Sequence, residues 1–193
     1  MKNKICKIIS VLSVAPLIAL YVLTVIYRHD ASVFGGVLWY IISIVFLTVL
    51  PISAYLLEHW LPAYKNQGRQ GERRLAFVMC ISGYVLGTIT SLAFRAPRGV
   101  QMVFLSYLVS GGVLTLVNSV FKYKASGHAC GTAGPYVPLM YFMGGKVWYV
   151  IFLLVPVYWA RIAMGRHTWK ELLSGTAIGM GATALTMAVF LHV

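Results

Sequence analysis

Acidic residues are scarce in this chain. Asp and Glu together number 4 in 193 residues, against 16 Lys and Arg, and charged residues make up only 10% of the sequence. A soluble domain of this length carries about a quarter charged residues, which argues against a soluble enzyme. Hydrophobic residues make up 60% of the chain, and apolar runs of about twenty residues indicate a protein embedded in a bilayer.

Cysteines are equally few. Cys6, Cys80 and Cys130 show no C-x-x-C spacing, and the four acidic residues form no cluster. A thiolate or carboxylate metal site needs such clusters, and a disulfide framework needs conserved-looking Cys pairs. The sequence therefore predicts no metal, no cofactor and no disulfide framework.

Positive charge dominates what remains, with a net charge of +12. In a soluble protein this balance would suggest nucleic acid as a partner. Here the Lys and Arg residues cluster at the ends of apolar segments, where lipid headgroups and the positive-inside bias account for them. We expect membrane lipids and no nucleic acid as partners, and the oligomeric state stays open.

Seven apolar segments organise the chain. They run roughly over 7–27, 34–57, 75–94, 100–121, 128–144, 147–163 and 170–191. Together they predict an all-α, polytopic transmembrane helix bundle of about six or seven spans, a single integral-membrane domain over residues 1–193. No small-x-small cleavage site follows the first segment, so we expect it to be a retained helix. Pro135, Pro138 and Pro156 are expected to kink the short fifth and sixth segments.

If consecutive spans cross the membrane in opposite directions, the connections between them fall on two faces. One face would hold the N-terminus, 58–74, 122–128 and 161–170, with twelve of the Lys and Arg residues; the other would hold 28–33, 95–99, 144–147 and the C-terminus, with four. The positive-inside rule makes the first face cytoplasmic. All of the chemically suggestive segments fall on that face, so they could converge on one site.

Ser126-Gly127-His128 precedes an apolar segment. Ser is a good N-cap, and glycine lets the backbone approach a ligand closely. The first amides of a helix bind anions, so the triplet could hold phosphate with His128 as proton donor. An ordinary cap with an interfacial histidine is the alternative, and the triplet taken alone favours it.

His167 and Glu171 stand one helical turn apart. At that spacing the carboxylate can accept a hydrogen bond from one imidazole nitrogen and leave the other as nucleophile or base. Arg161, six residues earlier, could bind phosphate oxygens in a bidentate manner. A surface i,i+4 pair and a snorkelling arginine are the alternatives.

The two segments together resemble the type 2 phosphatidic acid phosphatase superfamily. Its second motif, Pro-Ser-Gly-His, is matched by Ala125-Ser-Gly-His128. Its third motif, Ser-Arg, five residues, His, three residues, Asp, is matched in spacing by Ala160-Arg161, His167 and Glu171. The resemblance covers 58–175 and implies a phosphatase-like core of about 58–191.

The first motif of that family, Lys, six residues, Arg-Pro, is replaced here. Seven residues separate Lys65 from Arg73, and Leu75 follows Arg74. Some bacterial membrane branches are similar, with an Arg/Glu-rich loop and a second motif that begins with lysine, as Lys124 does here.

The resemblance implies a metal-independent membrane lipid phosphatase. His167 would form a phosphohistidine, oriented by Glu171, and His128 would protonate the leaving lipid. The phosphate would be held by a basic and amide set: Arg161, Ser126, Gly127, Lys124, Arg73, Arg74 and Lys65. Phosphatidic acid, phosphatidylglycerophosphate and isoprenoid diphosphates are candidate substrates. A lipid phosphotransferase using the same site remains open.

A third alternative is a non-catalytic binder or transporter of anionic lipids. Its basic face would bind headgroups, and the small residues from Gly175 to Ala184 would pack helices together. Gly175 and Gly179, four residues apart, are expected to form a packing face rather than a binding motif.

Overall fold

The computed structural model describes residues 2–65 and 67–192, except for the side chains of Lys2, Lys65, Arg69 and His192. Within these ranges the chain is all-α and contains no strand. Its helices are α1 (Lys2–Leu12), α2 (Ala15–His29), α3 (Val37–Ile44), α4 (Leu50–Leu57), α5 (Pro62–Lys65), α6 (Gly68–Ala93), α7 (Arg98–Ser119), α8 (Gly127–Ala133), α9 (Tyr136–Met143), α10 (Leu154–Ala163) and α11 (Trp169–His192). Two 3₁₀ helices (Ala31–Phe34 and Gly145–Leu153) and a π-helical stretch (Val45–Val49) complete the described elements.

Five helices in the described part of the chain are long and apolar enough to cross a membrane. They cover Val37–Leu57, Gln70–Ala93, Arg98–Ser119, Gly145–Ala163 and Trp169–Leu191. The bent pair α1–α2 gives a sixth crossing if it counts as one span. The prediction of a polytopic helical membrane bundle is therefore confirmed.

The first predicted span, 7–27, is wrong as a continuous helix. The chain breaks between α1 and α2, whose axes differ by 56°. Pro16 lies in the first turn of α2, and a proline has no N–H to donate to the preceding turn. The break turns α1 against α10 instead of extending α2.

The predicted fifth span, 128–144, is also wrong as a single crossing helix. It divides into α8, with 7 residues, and α9, with 8, around Gly134 and Pro135. Pro135 cannot donate a helical hydrogen bond, so the helix ends there. Pro156 has no such effect because it lies in the first turn of α10, where an N–H would lack a helical partner anyway.

The loops assigned to the face opposite the predicted site meet one another. A Cβ added to Gly35 would lie 2.6 Å from Pro97, and one added to Gly99 would lie 2.6 Å from the Val33 carbonyl oxygen. The turn after α2 thus contacts the turn between α6 and α7, as the alternation of spans predicts.

Glycines allow α8 to pack closely on α11. A Cβ on Gly175 would lie 2.3 Å from the Ser126 carbonyl oxygen, and one on Gly179 would lie 2.5 Å from the Cys130 carbonyl oxygen. The prediction that these glycines form a helix-packing face is confirmed. The close approach brings the start of α8 beside the start of α11, which is where the candidate site forms.

Candidate active site

The backbone joins the two motif segments directly. The Ser126 amide donates to the Glu171 carbonyl oxygen at 2.9 Å, and the Ser126 hydroxyl accepts from the Ala129 amide at 3.4 Å as the N-cap of α8. Ser126 is fully buried by these contacts. Its amide was predicted to bind phosphate but already has a partner, and α8 is too short to give its N-terminus a strong dipole. Ser126 therefore connects the two helices, and Gly127 is the first residue of α8.

His167 and Glu171 interact as the spacing predicts. His167 Nδ1 lies 2.8 Å from Glu171 Oε2. Because a carboxylate only accepts hydrogen bonds, Nδ1 carries the proton and Nε2 of the neutral ring carries the lone pair. The His167 side chain is 7% exposed, so its ring is held in place by packing as well as by the carboxylate.

Glu171 also caps α11. Its Oε2 accepts from the Thr168 amide at 3.2 Å, while the Thr168 hydroxyl accepts from the Glu171 amide at 3.4 Å. This reciprocal pair is a capping box. One carboxylate oxygen thus starts the helix and orients the histidine just before it, which fixes the ring relative to the membrane span.

A polar pocket of about 420 Å³ lies next to this pair. Its wall includes His167 and four cationic side chains, and its lining residues are Gln70, Arg73, Lys124, Arg161, Gly165, Arg166 and His167. Arg161 is 4% exposed. Four cations around one cavity form a site for an anion.

Lys124 connects the wall of this pocket to the helix cap. Its Nζ donates to the Arg166 carbonyl oxygen at 3.1 Å and lies 3.8 Å from Glu171 Oε2. The lysine is largely exposed, so the ion pair with the carboxylate adds little stability. Its role in the geometry is to bring positive charge to the mouth of the pocket.

His128 lies on the other side of Arg161. Its Nε2 donates to the Ser10 carbonyl oxygen at 3.1 Å, and Arg161 Nη1 donates to the Ser10 hydroxyl at 2.9 Å. Burial, and then the charge of Arg161, lowers the pKa of His128 to about 4, with His167 and Arg73 acting in the same direction. The two histidines and two arginines are therefore close enough to influence one another's charge.

The pKa of His167 is also lowered. Burial is the largest cause, and the positive charges of Arg161 and Lys124 add to it, while the hydrogen bond to Glu171 opposes it. The ring is consequently neutral at physiological pH, with the lone pair on Nε2 available.

The structure gathers most of the predicted site residues and leaves others aside. His167, Glu171, Arg161, Lys124 and Arg73 meet at or beside the pocket. Arg74 is exposed and does not line the pocket, because the next residue of a helix points about 100° away. The Lys65 side chain lies outside the described residues.

Sequence reasoning missed three contributors. Arg166 and Gln70 line the pocket, and Ser10 contacts two site residues. The position of Arg166 beside His167 was a usable signal, and so was the Thr168-x-x-Glu171 pattern of a capping box. Nothing local marks Ser10, whose contact with Arg161 spans 151 positions.

No protein-family model, curated protein or solved structure matches this chain. Within residues 2–65 and 67–192, no three His, Cys, Asp or Glu side chains come together in a way that could hold a metal ion.

Proposed function

We propose that this protein is an integral-membrane phosphatase that hydrolyses the phosphate of a lipid through a phosphohistidine at His167. The observation that carries the proposal is the hydrogen bond from His167 Nδ1 to Glu171 at 2.8 Å, beside a pocket lined by Arg73, Lys124 and Arg161. A histidine oriented by a carboxylate supplies a nucleophile. The cations supply the charge that phosphoryl transfer needs.

Arg161 is suited to hold the phosphate. A guanidinium presents several N–H donors in a rigid fork that matches phosphate oxygens, and burial strengthens its interaction with an anion. Arg73 and Arg166 bring further charge from α6 and from the turn before α11. These groups would neutralise the charge that develops as the bond to the leaving oxygen breaks.

His128 is suited to move the proton once the anion is bound. The positive charge of Arg161 is among the causes that hold its pKa low, and a phosphate bound to Arg161 would offset that charge. The pKa of His128 would therefore rise on substrate binding, because a nearby anion favours the imidazolium. His128 would then become an imidazolium, with a second proton to give, only when there is a leaving group to receive it.

The reaction has two displacements. The Nε2 lone pair of His167 attacks phosphorus, the bond from phosphorus to the lipid oxygen breaks, and His128 gives that oxygen its proton. Water then attacks the phosphohistidine while His128 takes a proton from it. The phosphorus–nitrogen bond breaks, and inorganic phosphate and neutral His167 are released.

A lipid substrate is supported by where the pocket lies. Arg161 is near the end of the span Gly145–Ala163, and His167 lies just before the span Trp169–Leu191, so both are at the depth of a membrane interface. An apolar groove of about 620 Å³ lies between α10 and α11. Two residues that line this groove, Ile162 and Trp169, are close in sequence to the pocket residues, so headgroup and tail sites would adjoin.

Phosphate release from the detergent-solubilised protein tests the proposal. The substrates are phosphatidic acid, phosphatidylglycerophosphate and an isoprenoid diphosphate, each with and without an acceptor alcohol. We expect wild type to release phosphate and His128→Ala to lose at least about 10²-fold in rate. Phosphate transfer to the alcohol in preference to water would make the protein a phosphotransferase. Lipid binding with no turnover of any of the three would make it a binder and contradict the proposal.

We further propose that the protein lies in the cell membrane with the site on the cytoplasmic face. The loops assigned to that face carry twelve of the 16 Lys and Arg residues, as the positive-inside rule requires. The test is a Lys122→Cys variant treated in intact cells with a thiol reagent that does not cross membranes. No labelling before lysis is expected, and labelling of intact cells would contradict this orientation.

A further inference from the structure

The end of α1 reaches the candidate site through a single residue. Ser10 lies in the last turn of α1, and both of its oxygen atoms have partners in the site. The hydroxyl accepts from Arg161 Nη1 at 2.9 Å, and the carbonyl oxygen accepts from His128 Nε2 at 3.1 Å. One residue thus contacts a phosphate-binding group and a proton-transfer group that come from two other helices.

The carbonyl of Ser10 is available because α1 ends where it does. In a continuous helix this oxygen would accept from the Val14 amide, four residues later. Here the Val14 amide donates to the Val11 carbonyl oxygen at 3.3 Å. The last carbonyls of a helix need other partners, and the negative end of its dipole favours nearby positive charge. His128 and Arg161 are suited to both needs.

The hydroxyl of Ser10 provides a group that Arg161's own neighbour lacks. Ala160, which precedes Arg161, is fully buried and has no polar side-chain atom. A serine hydroxyl that accepts from a guanidinium keeps its own proton for donation. The Ser10 hydroxyl can therefore fix the orientation of the Arg161 guanidinium and still donate its own proton in a second hydrogen bond.

Packing keeps this arrangement in place. Helix α1 lies against α10, the helix that carries Arg161, and Cys6, one turn before Ser10, is 1% exposed. Cys6 thus anchors α1 one turn before Ser10, and the hydrogen bonds with Arg161 and His128 hold Ser10 itself. A side chain that is already held in place loses little conformational entropy when a ligand binds to its neighbours.

We infer that Ser10 is a positioning residue of the phosphatase site, holding the Arg161 guanidinium and the His128 imidazole in the relation that phosphoryl transfer requires. The inference rests on the proposed function and adds α1 to the site. Ser10 acts through these two residues. Its loss should thus weaken phosphate binding and slow transfer while leaving the fold intact.

The test compares three variants for phosphate release and for inhibition by inorganic phosphate. Ser10→Ala removes the hydroxyl and should lower kcat/KM about tenfold or more, as expected for one hydrogen bond to a charged group, and should weaken phosphate inhibition by a similar factor. Ser10→Thr keeps the hydroxyl and should restore both values to within about twofold. Ser13→Ala is the matched control. It makes the same change three residues later, at a buried hydroxyl without a hydrogen-bond partner in the described part of the chain, and should leave both values unchanged.

Thermal unfolding should be the same for Ser10→Ala and wild type to within the difference that Ser13→Ala produces. If wild type is active, three results would overturn this inference and leave the proposed function standing. They are unchanged kinetics in Ser10→Ala, an equal loss of activity in Ser13→Ala, and a Ser10→Thr variant that is as impaired as Ser10→Ala. A wild-type protein that releases no phosphate from any of the three lipids overturns the proposed function and the inference with it.

Discussion

The two ends of the bundle are closed in different ways. Away from the site, Tyr27 stacks on Tyr40 at 4.2 Å between ring centroids, and Phe34 meets the Tyr40 ring edge to face at 5.7 Å. At the site end, where Tyr158 and Trp169 also form an edge-to-face pair, hydrogen bonds join distant segments, as in the contact of Ser126 with Glu171. Both ends carry arginines. In the described part of the chain, the site end combines them with a hydrogen-bonded histidine–carboxylate pair, His167 with Glu171.

The comparison shows that basic residues at a membrane face do not by themselves indicate a site. Arg95 lies in the turn after α6 and Arg98 begins α7, and neither is among the residues that line the polar pocket at the site end. The activity we propose depends on charge and hydrogen bonding at the polar end, whereas the aromatic end contributes apolar packing. Substitutions there should alter activity, and substitutions at the aromatic end should alter stability.

The largest contrast is expected between His167→Ala and Phe34→Ala. Removing the nucleophile should lower phosphate release by about 10³-fold or more, with a much smaller effect on thermal unfolding than Phe34→Ala. Phe34 is fully buried, so its truncation leaves a cavity and should cost about 3–5 kcal/mol while folded molecules keep their rate. Activity per folded molecule and unfolding in detergent measure both effects. A destabilised His167→Ala protein would erase the contrast.

The next contrast separates the two roles of Glu171. Glu171→Gln keeps an oxygen that can accept from the Thr168 amide but removes the charge that orients His167, so activity should fall about 10²-fold or more. Thr168→Ala removes only the cap hydroxyl and should cost about 1 kcal/mol of stability with activity retained. Steady-state kinetics and thermal unfolding distinguish the two. Equal loss of activity in both variants would mean that activity depends on the helix cap and not on the charge of Glu171.

A smaller effect is expected from Gly175→Ala. Its Cβ would lie 2.3 Å from the Ser126 carbonyl oxygen, so α8 must shift away from α11, at a cost of about 1–3 kcal/mol. The shift would also loosen the contact that joins the two motif segments, and activity should fall with it. Gly181→Ala, on the same helix with nothing within 4 Å, is the matched control. If both variants keep wild-type activity, close packing of α8 on α11 is not needed for the site.

The last effect concerns pH. The pKa of His128 falls from 6.5 to about 4 in the folded protein, so between these values the unfolded chain binds a proton that the native chain does not. Stability therefore rises with pH across this window and is lost as pH falls from 6.5 towards 4. Thermal unfolding measured from pH 4 to 8 should show a weaker pH dependence in His128→Asn than in wild type. Identical slopes would contradict the low pKa.

The sequence predicted the parts of this structure that depend on local composition. Apolar runs marked the spans from Val37 to Leu191, and the interval between His167 and Glu171 predicted their contact. The break at Pro16 was missed, and the break at Pro135 was predicted only as a kink, because a proline can either kink a helix or end it, and tertiary packing decides between the two. Ser10 could not be identified, since its partners are distant in sequence and a serine in a helix is common.

Phosphohistidine mapping tests the central claim most directly. The protein is mixed with a ³²P-labelled lipid phosphate, quenched in base, where phosphohistidine survives, and digested to locate the label. We expect label on His167 in wild type and none in His167→Ala. Label on another residue, or equal phosphate release from wild type and His167→Ala, would contradict it.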